Sequence, residues 1–368
     1  MSIDTTTRAS AQTDEERAEQ LAQTLLGQFG AGVELLTVEL GRRLGLYEAL
    51  AGSGAVTADE LSARASIAPR YAEEWLDQQA AAGILDVVSA EPRRFALPDG
   101  HAAVLVAEES PAHLVGAAPL LLGVATTLRD VADAYATGRG VEYAAFGDEL
   151  RFGIASINRP GFTHETRAWV ETLPDVAARL DRGGIVLDAG CGEGWSTIGL
   201  ARAFPAARVV GVDLDARSVE EARRHVEDTG LVDRVEIVRA NAADPAALRD
   251  AARSPVTLVT VYQALHDMGE PVEALRAFRG LLATGGAVLV ADEHGEDERY
   301  APADEVERLK LSMSVLHCLP ATWAESSSVV NGTVLRPGTL RRWVAEAGFE
   351  RFEVLPVEHP FWRFHRLG

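Results

Sequence analysis

Three glycines that directly follow an apolar run are the first feature of this 368-residue sequence that could do chemistry. Gly190, Gly192 and Gly194 lie in VLDAGCGEGW, Val186 to Trp195. Residues without a Cβ let the backbone turn sharply and approach a ligand closely. A helix that begins near Trp195 would offer free backbone N–H groups to a negative group. The pattern therefore indicates a ligand-binding loop, and a tight turn without a ligand is the alternative.

The spacing of these glycines, and an acid in front of them, indicate what the loop would bind. The pattern is G-x-G-x-G, whereas a dinucleotide-binding loop is expected to have G-x-G-x-x-G. Asp188 precedes the first glycine by two positions, where a carboxylate suits a cationic amino acid and is unfavourable for a pyrophosphate. The loop therefore favours a cofactor other than a nicotinamide dinucleotide.

Polar side chains also follow the next two apolar runs. Asp213 ends the second run about twenty residues beyond the loop, where a carboxylate can accept hydrogen bonds from both hydroxyls of a ribose. Leu214 would then lie against an adenine, and Asn241 can donate to and accept from an adenine edge. By itself, an acid after a strand is usually a helix cap, but Asp213 at this distance from the glycine loop is a strong signal. On local grounds, Asn241 is equally compatible with an Asx turn or a cap for the following helix.

These side chains need a sheet that brings the ends of several strands together. From Gly184 onward short apolar runs alternate with helical patterns, which predicts an α/β fold with a parallel sheet and helices on both faces. The predicted strands are Ile185–Ala189, Arg208–Asp213, Arg234–Arg239, Thr257–Tyr262 and Ala287–Ala291, followed by Phe352–Val357 and Trp362–Leu367 as a hairpin around Pro360.

The residues before Gly184 are predicted to be mostly helical. Helical patterns cover Asp14–Gly27 and Val33–Leu50, after a polar stretch, residues 1–14, that is predicted to be disordered. Thr57 is predicted to cap the first helix of a helix, turn, helix, hairpin series, which is the winged-helix pattern. Its predicted elements are Ala58–Ala65, Pro69 to about Ala82, Ile84–Val88 and Arg94–Leu97, and residues 102–180 are predicted to be helical.

The charge of the winged-helix pattern argues against DNA binding. Its second helix carries Glu73, Glu74 and Asp77 against Arg70 alone. The whole chain has a net charge of −20, which repels a phosphate backbone. A dimerisation or packing module is therefore the favoured interpretation, and no nucleic-acid partner is expected.

Composition and cysteine usage indicate a cytoplasmic protein. Two cysteines, Cys191 and Cys318, make no disulfide framework, and the first 20 residues lack the apolar core of a signal peptide. The most apolar stretch, Leu114–Ala125, contains Pro119 and is far shorter than the ~20 residues of a membrane helix. No membrane partner is expected.

From about Gly184 to the C-terminus, the three motifs resemble the class I S-adenosylmethionine-dependent methyltransferases. With its winged helix, the whole chain resembles two-domain small-molecule methyltransferases of the plant O-methyltransferase type, and especially their actinobacterial relatives. The resemblance implies S-adenosylmethionine as cofactor, S-adenosylhomocysteine as product, and a Rossmann-like sheet of seven strands with the last one antiparallel. It also implies that the N-terminal domain mediates a homodimer and helps close the substrate pocket. The implied regions are a tail at 1–14, a winged-helix dimerisation domain at 15–105, a helical connector at 106–180 and the methyltransferase domain at 181–368.

The resemblance also assigns residues to the cofactor and the acceptor. INRPGF, Ile157–Phe162, is similar to the F-N-x-x-M segment of the family, which implies that Asn158 and Phe162 belong to the acceptor pocket. Family insertions after the fifth strand build the same pocket, which adds His317 and Cys318. The implied cofactor residues are Asp188, Gly190, Gly192, Gly194, Trp195, Asp213, Leu214, Asn241, Ala242, Tyr262, Gln263 and Thr166.

The catalytic residues are assigned in the same way. The L-H-D-W motif of the family is similar to ALHDM, which implies that His266 is the base, and a histidine titrates near neutrality as that role requires. The alternative is that His266 caps the following helix. Either Asp292 or Glu293 matches the acid that orients the histidine, and the second acid of the family has no clear counterpart in Ser326–Gly338.

A metal site is not expected. His317 and His359 could in principle join Asp267 or Asp292, but their spacing matches no compact ligand motif. The sequence therefore predicts methyl transfer to a small-molecule acceptor, most simply to a hydroxyl oxygen of a secondary metabolite. The alternatives are an N- or C-methyltransferase, a protein of the same fold that catalyses another step, and, more distantly, a ligand-responsive winged-helix regulator.

Overall fold

The computed structural model describes residues 12–295, 301–326, 329–332 and 334–368, and these form two compact units. The first unit ends at Ala102 and the second is Ala103–Gly368. Nearly all of the predicted tail, residues 1–14, lies outside the described residues. No helix in the described ranges is both long enough and apolar enough to cross a membrane.

The first unit has the predicted helix, turn, helix, hairpin order. Thr57 accepts from the backbone N–H of Glu60, whose side chain accepts in return from Thr57, so the predicted capping box is present. The two strands pair antiparallel. The elements are α1 Asp14–Arg43, α2 Leu46–Leu50, α3 Ala58–Ala65, α4 Pro69–Ala81, β1 Asp86–Ala90 and β2 Arg93–Ala96, with α5 Asp99–Leu105 running into the second unit.

The prediction of a helix break between Gly27 and Val33 is wrong. One helix, α1, runs through the three glycines of this stretch, because each glycine costs a helix only about 1 kcal/mol. The break lies instead at Gly45, whose φ of 64° puts it in the left-handed region that ends helices. The consequence is a single long helix, most of whose residues are exposed.

Helices dominate the first part of the second unit and then alternate with strands. They are α6 Ala117–Thr126, α7 Leu128–Thr137, α8 Gly147–His164, α9 Thr166–Glu171, α10 Pro174–Leu180, α11 Trp195–Ala203, α12 Ala216–Asp228, α13 Pro245–Ala252, α14 Pro271–Leu281, α15 Glu305–Met313, α16 Leu319–Glu325 and α17 Pro337–Glu346. Short 3₁₀ turns cover Tyr143–Phe146 and Leu265–Asp267, and a π-helical turn covers Ser314–Cys318.

The predicted seven strands form one sheet in the described part of the chain, in the order β5-β4-β3-β6-β7-β9-β8. They are β3 Gly184–Ala189, β4 Ala207–Asp213, β5 Val235–Arg239, β6 Val256–Tyr262, β7 Leu282–Glu293, β8 Phe352–Val354 and β9 Trp362–Leu367. The first five pair parallel, and the last, β9, pairs antiparallel with β7, as predicted. This is the Rossmann-like sheet expected from the sequence.

The strand order determines where a ligand can bind. β3 and β6 are neighbours in the sheet but not in the chain, so the connections that leave them diverge. Such a switch point opens a crevice at the carboxyl ends of the strands. Every residue of β6 is buried, as expected for a central parallel strand covered on both faces.

Candidate active site

A cavity of about 640 Å³ opens at the carboxyl ends of the central strands. Its volume lies within the roughly 300–1,000 Å³ typical of small-molecule sites. Its wall is formed by the glycine loop and the ends of β4, β5 and β6, together with α8, the 3₁₀ turns and α16. Most of the predicted cofactor residues therefore share one cavity with residues from these helices.

Two of the three glycines in the loop are closely packed, and the third is open. Gly190, Gly192 and Gly194 all have positive φ, of 72°, 52° and 85°. A Cβ on Gly190 would lie 2.5 Å from the Cβ of Ala264, and one on Gly194 would lie 2.9 Å from the Cβ of Ala222. A Cβ on Gly192 would meet nothing within 4 Å. Gly192 is therefore the position where the backbone is open to a ligand.

Asp213 lines the cavity at the end of β4 and also fixes the loop. Its Oδ2 accepts from the backbone N–H of Gly192 at 2.8 Å, and its Oδ1 accepts from that of Asp215 at 2.9 Å. Burial raises the pKa of this carboxyl, and these N–H donors oppose the rise. Each carboxylate oxygen keeps a lone pair, so the group can still accept hydrogen bonds from a diol.

Most other predicted cofactor residues also line this cavity. Tyr262 lines the cavity, and its buried hydroxyl has no hydrogen-bond partner among the described residues. Asn241 makes an Asx turn, because its Oδ1 accepts from the N–H of Ala243, but its amide group still faces the cavity. The predicted cofactor residues on the cavity wall are Gly190, Gly192, Trp195, Asp213, Leu214, Asn241, Ala242, Tyr262 and Gln263.

Three predicted cofactor residues, Asp188, Gly194 and Thr166, do not lie on that wall. Asp188 is buried, and its oxygens accept from the hydroxyls of Ser196, Thr197 and Thr260 at 2.6 to 2.8 Å. Burial raises the pKa of Asp188 despite these donors. Thr166 donates to the backbone carbonyl of Phe162. Asp188 therefore ties the start of α11 to the sheet, and Thr166 completes a helical turn.

His266 is buried between two carboxylates. Its Nδ1 lies 2.5 Å from Oδ1 of Asp292, and its Nε2 lies 3.2 Å from Oδ1 of Asp267. Burial alone would lower the pKa of His266, but the two carboxylates outweigh it and raise that pKa well above its usual value. The ring is only 2% exposed and is not on the cavity wall, whereas Asp267 is. Asp267 is thus the member of this group that reaches the cavity.

The question of which acid orients His266 has a clear geometric answer. Asp292 contacts its ring and also accepts from its backbone N–H at 3.1 Å. Glu293 instead accepts from the side-chain amide of Gln263 at 2.6 Å and lies 3.3 Å from the ammonium of Lys310. Gln263 in turn accepts from Asn158 at 2.6 Å, so Glu293 supports the cavity wall and does not contact the histidine.

Two predicted pocket residues, His317 and Cys318, lie behind the cavity wall. Both are buried, and the His317 ring packs edge-on against Tyr143 and Phe146. Burial lowers the pKa of His317. The other two predicted pocket residues, Asn158 and Phe162, line the cavity. The first pair is therefore corrected, because the π-helical turn directs these side chains into the protein.

Several residues that line the cavity belong to no motif that predicted them from the sequence. Arg151, on α8, is buried and pairs with Asp215 through its Nε at 2.8 Å, which connects this helix to the end of β4. Tyr143 lies beneath that guanidinium. Glu325 lines the cavity and accepts from the backbone N–H of Gly269 at 3.1 Å. Glu325 lies one residue before Ser326–Gly338, the segment in which the resemblance places the second acid of the family.

Comparisons with known proteins agree with this architecture. Residues 186–286 match the family described as methyltransferase domain, and residues 31–107 match the Rv2258c-like winged HTH domain. A ubiquinone biosynthesis O-methyltransferase from Leptothrix cholodnii is 29% identical over 199 residues, which are 53% of this chain and 76% of that protein.

Solved structures match nearly the whole chain at low identity, which establishes the fold. Human N-acetylserotonin methyltransferase in complex with S-adenosylmethionine has a TM-score of 0.64 at 18% identity, covering 97% of this chain and 99% of the other. The N,N-8-amino-8-demethyl-D-riboflavin dimethyltransferase of Streptomyces davawensis has a TM-score of 0.57 at 19%, covering 97% and 100%. The chain therefore has the fold of these solved methyltransferases, and it combines a region that matches a methyltransferase domain with an N-terminal region that matches a winged helix-turn-helix domain.

Proposed function

We propose that this protein transfers the methyl group of S-adenosylmethionine to a hydroxyl oxygen of a small molecule. The observation that carries the proposal is one cavity that combines two groups of residues. The first group, named the cofactor side, is the open Gly192, the carboxylate of Asp213 and Tyr262. The second group, named the acceptor side, is Asp267 and Glu325, whose carboxylates can hold the acceptor.

The cofactor side fits the chemistry of S-adenosylmethionine. Asp213 would accept from both ribose hydroxyls, and Leu214 and Ala242 would enclose the adenine with Asn241 at its edge. The acidic loop residue Glu193 suits the positive charge of the sulfonium and the amino group. These residues would place the methyl group toward Asp267, where proximity and alignment supply most of the rate enhancement.

The transfer itself needs an in-line arrangement of three atoms. A lone pair of the acceptor oxygen forms the new C–O bond while the C–S bond breaks and its electrons return to sulfur. The acceptor proton passes to the carboxylate of Asp267, whose position His266 and Asp292 fix from behind. His266 thus acts from behind the wall and not as a base in direct contact with the acceptor.

The test of the proposed function is product analysis with a labelled methyl group. We expect incubation with hydroxylated aromatic and aliphatic acceptors to give a product whose label lies on oxygen, with one S-adenosylhomocysteine formed per methyl transferred. Label found only on nitrogen or carbon, or a bound cofactor that is never consumed by any acceptor, would exclude transfer to oxygen.

An amine acceptor is the second candidate, and the acidic acceptor side of the cavity favours it. Asp267 and Glu325 could hold an ammonium ion, and burial raises the pKa of Glu325 so that it could also take up a proton. The similar structure from Streptomyces davawensis is that of an N,N-8-amino-8-demethyl-D-riboflavin dimethyltransferase. Paired hydroxyl and amine analogues of one scaffold would separate the two candidates.

Glu193 should make cofactor binding depend on pH. Burial and the nearby Glu221 raise the pKa of Glu193 to about 7, so this side chain is mostly neutral at pH 6 and mostly ionised at pH 8. We expect S-adenosylmethionine to bind roughly three- to tenfold more tightly at pH 8, because the ionised carboxylate attracts its positive charges. Calorimetry on the wild type and on Glu193→Gln checks this, and an equal pH dependence in both proteins would contradict it.

We also propose that the first unit forms a homodimer through α1. Seven apolar side chains recur at helical spacing along one face of this helix, and Leu26 and Phe29 are each 70% exposed. Monomeric proteins rarely leave such a continuous apolar stripe in water. Its members are Leu21, Leu25, Leu26, Phe29, Val33, Leu36 and Leu40.

Charge placed in this stripe should therefore separate the protomers. We expect the double variant Leu25→Glu, Phe29→Glu to sediment as a monomer at concentrations where the wild type sediments as a dimer. Gln20→Glu, on the opposite face of α1, is the matched control and should remain dimeric. A wild type that is monomeric at tens of micromolar, or a double variant that is still dimeric, would refute the proposal.

The winged helix is proposed to serve this assembly and not DNA. On α4, Arg70 is already paired with Glu73 at 3.6 Å and with Glu74, and Arg93 of β2 pairs with Asp77 at 3.0 Å. These arginines are neutralised by carboxylates of the helix that would enter a major groove. A shift of labelled duplex DNA at low salt would contradict this assignment.

A further inference from the structure

We propose that His266, Asp267 and Cys318 form a binding site for a divalent transition-metal ion of the zinc type at the acceptor end of the cavity. Within the described part of the chain, these three side chains have ligand atoms that all lie within 4.8 Å of one another. The site rests on its own geometry, and only its catalytic role depends on the proposed methyl transfer.

One distance within the group is close to that of a tetrahedral site. Nε2 of His266 and Oδ1 of Asp267 are 3.2 Å apart. Two such ligands around zinc, at bond lengths of 2.0–2.2 Å, are separated by about 3.4 Å. The ligand atom of Cys318 lies within 4.8 Å of both, so an ion between the three requires the thiol to approach them.

The two buried members of the group, His266 and Cys318, each contact a further side chain, as metal ligands commonly do. Asp292 holds Nδ1 of His266 at 2.5 Å, which directs Nε2 toward the site and makes the ring a stronger donor. Nδ1 of His317 lies 3.3 Å from the sulfur of Cys318, where a ring N–H would stabilise the thiolate. Both the imidazole and the thiol thus have an outer partner on the side away from the proposed ion.

Cys318 is the last residue of a π-helical turn. The π-helical turn Ser314–Cys318 interrupts the helix that continues as α16, and such turns occur frequently at functional sites. This turn brings a residue that is about fifty positions away in the chain against His266. The sequence spacing of the ligands therefore gave no metal motif, although the fold assembles one.

The donor set determines which ion fits and what it would do. One nitrogen, one thiolate sulfur and one carboxylate favour zinc or cobalt over magnesium or calcium, which prefer oxygen alone. Three protein ligands leave a fourth position, and Asp267 is the ligand that lies on the cavity wall. An acceptor oxygen bound there would lose its proton more readily, and the second oxygen of Asp267 could receive that proton.

Metal content of the full chain, made without an affinity tag, tests the site. After chelation, re-equilibration with micromolar zinc and gel filtration, we expect about one zinc ion per chain, and thiolate-to-metal charge-transfer absorption with cobalt. Cys318→Ser should weaken binding by on the order of 100-fold or more and abolish that absorption, and Asp267→Asn should also weaken it. Asp292→Asn, which removes an outer partner, should weaken binding by about 10–100-fold.

The other cysteine provides the matched control, because Cys191→Ser should keep both the ion and the cobalt absorption. If Cys318→Ser does not fold by circular dichroism, Asp267→Asn on the cavity wall decides the question. A wild type with less than about a tenth of an ion per chain, or a Cys318→Ser protein that binds zinc as tightly, overturns the inference. Metal-free protein that methylates acceptors at full rate would refute the catalytic role but leave the proposed function standing. A protein that binds the ion but transfers no methyl group would refute the proposed function and leave the metal site standing.

Discussion

Replacing Asp213 should abolish cofactor binding. In Asp213→Ala the two ribose hydroxyls lose a charged acceptor, and the N–H groups of Gly192 and Asp215 lose theirs as well. Hydrogen bonds to a charged group contribute about 1.5–3 kcal/mol each, so the loss of two corresponds to an affinity at least about 100-fold lower. Titration calorimetry with S-adenosylmethionine and S-adenosylhomocysteine measures the effect.

The control for this experiment is a carboxylate in a comparable place that does not face the cavity. Asp244 follows β5 and caps α13 by accepting from the N–H groups of Ala246 and Ala247. Asp244→Asn keeps a capping side chain and should bind both ligands as the wild type does. Asp213→Asn, which preserves shape, should still lose most of the affinity. Unchanged affinity in both Asp213 variants would remove the basis of the cofactor assignment.

Replacing His266 should slow the chemical step and leave the cofactor bound. The ring contacts Asp267, and it is not among the residues that line the cavity with the predicted cofactor residues. We expect kcat to fall by about 100-fold or more, with the dissociation constant of S-adenosylmethionine unchanged. Single-turnover measurements with a labelled methyl group separate these two quantities.

The choice of variant matters because His266 lies between two carboxylates. His266→Ala leaves Asp292 buried and without its partner, which can cost several kcal/mol of stability. His266→Asn retains a donor near the position of Nδ1 and so keeps the protein folded while removing Nε2. The matched control is His113→Asn, a buried histidine outside the cavity that contacts Ser156 at 3.1 Å. If His266→Asn transfers methyl groups as fast as His113→Asn, the proposed role of His266 is wrong.

Much of the fold follows from local patterns in the sequence. The seven strands and the winged helix are predictable because apolar periodicity and capping residues such as Thr57 act over a few neighbouring positions. The position of the helix break is not predictable, because α1 tolerates four glycines and the left-handed turn at Gly45 is not distinguishable by residue type alone.

The cofactor side is also largely determined by sequence, because its residues follow directly on strands whose ends meet at one edge of the sheet. The order of strands and motifs along the chain is therefore enough to bring Asp213 and Gly192 together. The role of Asp188 depends instead on the direction of its side chain, which points into the protein, toward three hydroxyls.

The tertiary structure alone placed several further residues around the proposed acceptor position. Arg151, Asp267 and Glu325, which line the cavity, and Cys318, which lies behind its wall, come from segments far apart in the chain, and their proximity depends on the packing of α8, α16 and the π-helical turn. The sequence by itself thus determined a methyltransferase sheet with its glycine loop and Asp213. The engagement of both ring nitrogens of His266, and the approach of Cys318 to that ring, arise from long-range packing, which no local pattern encodes.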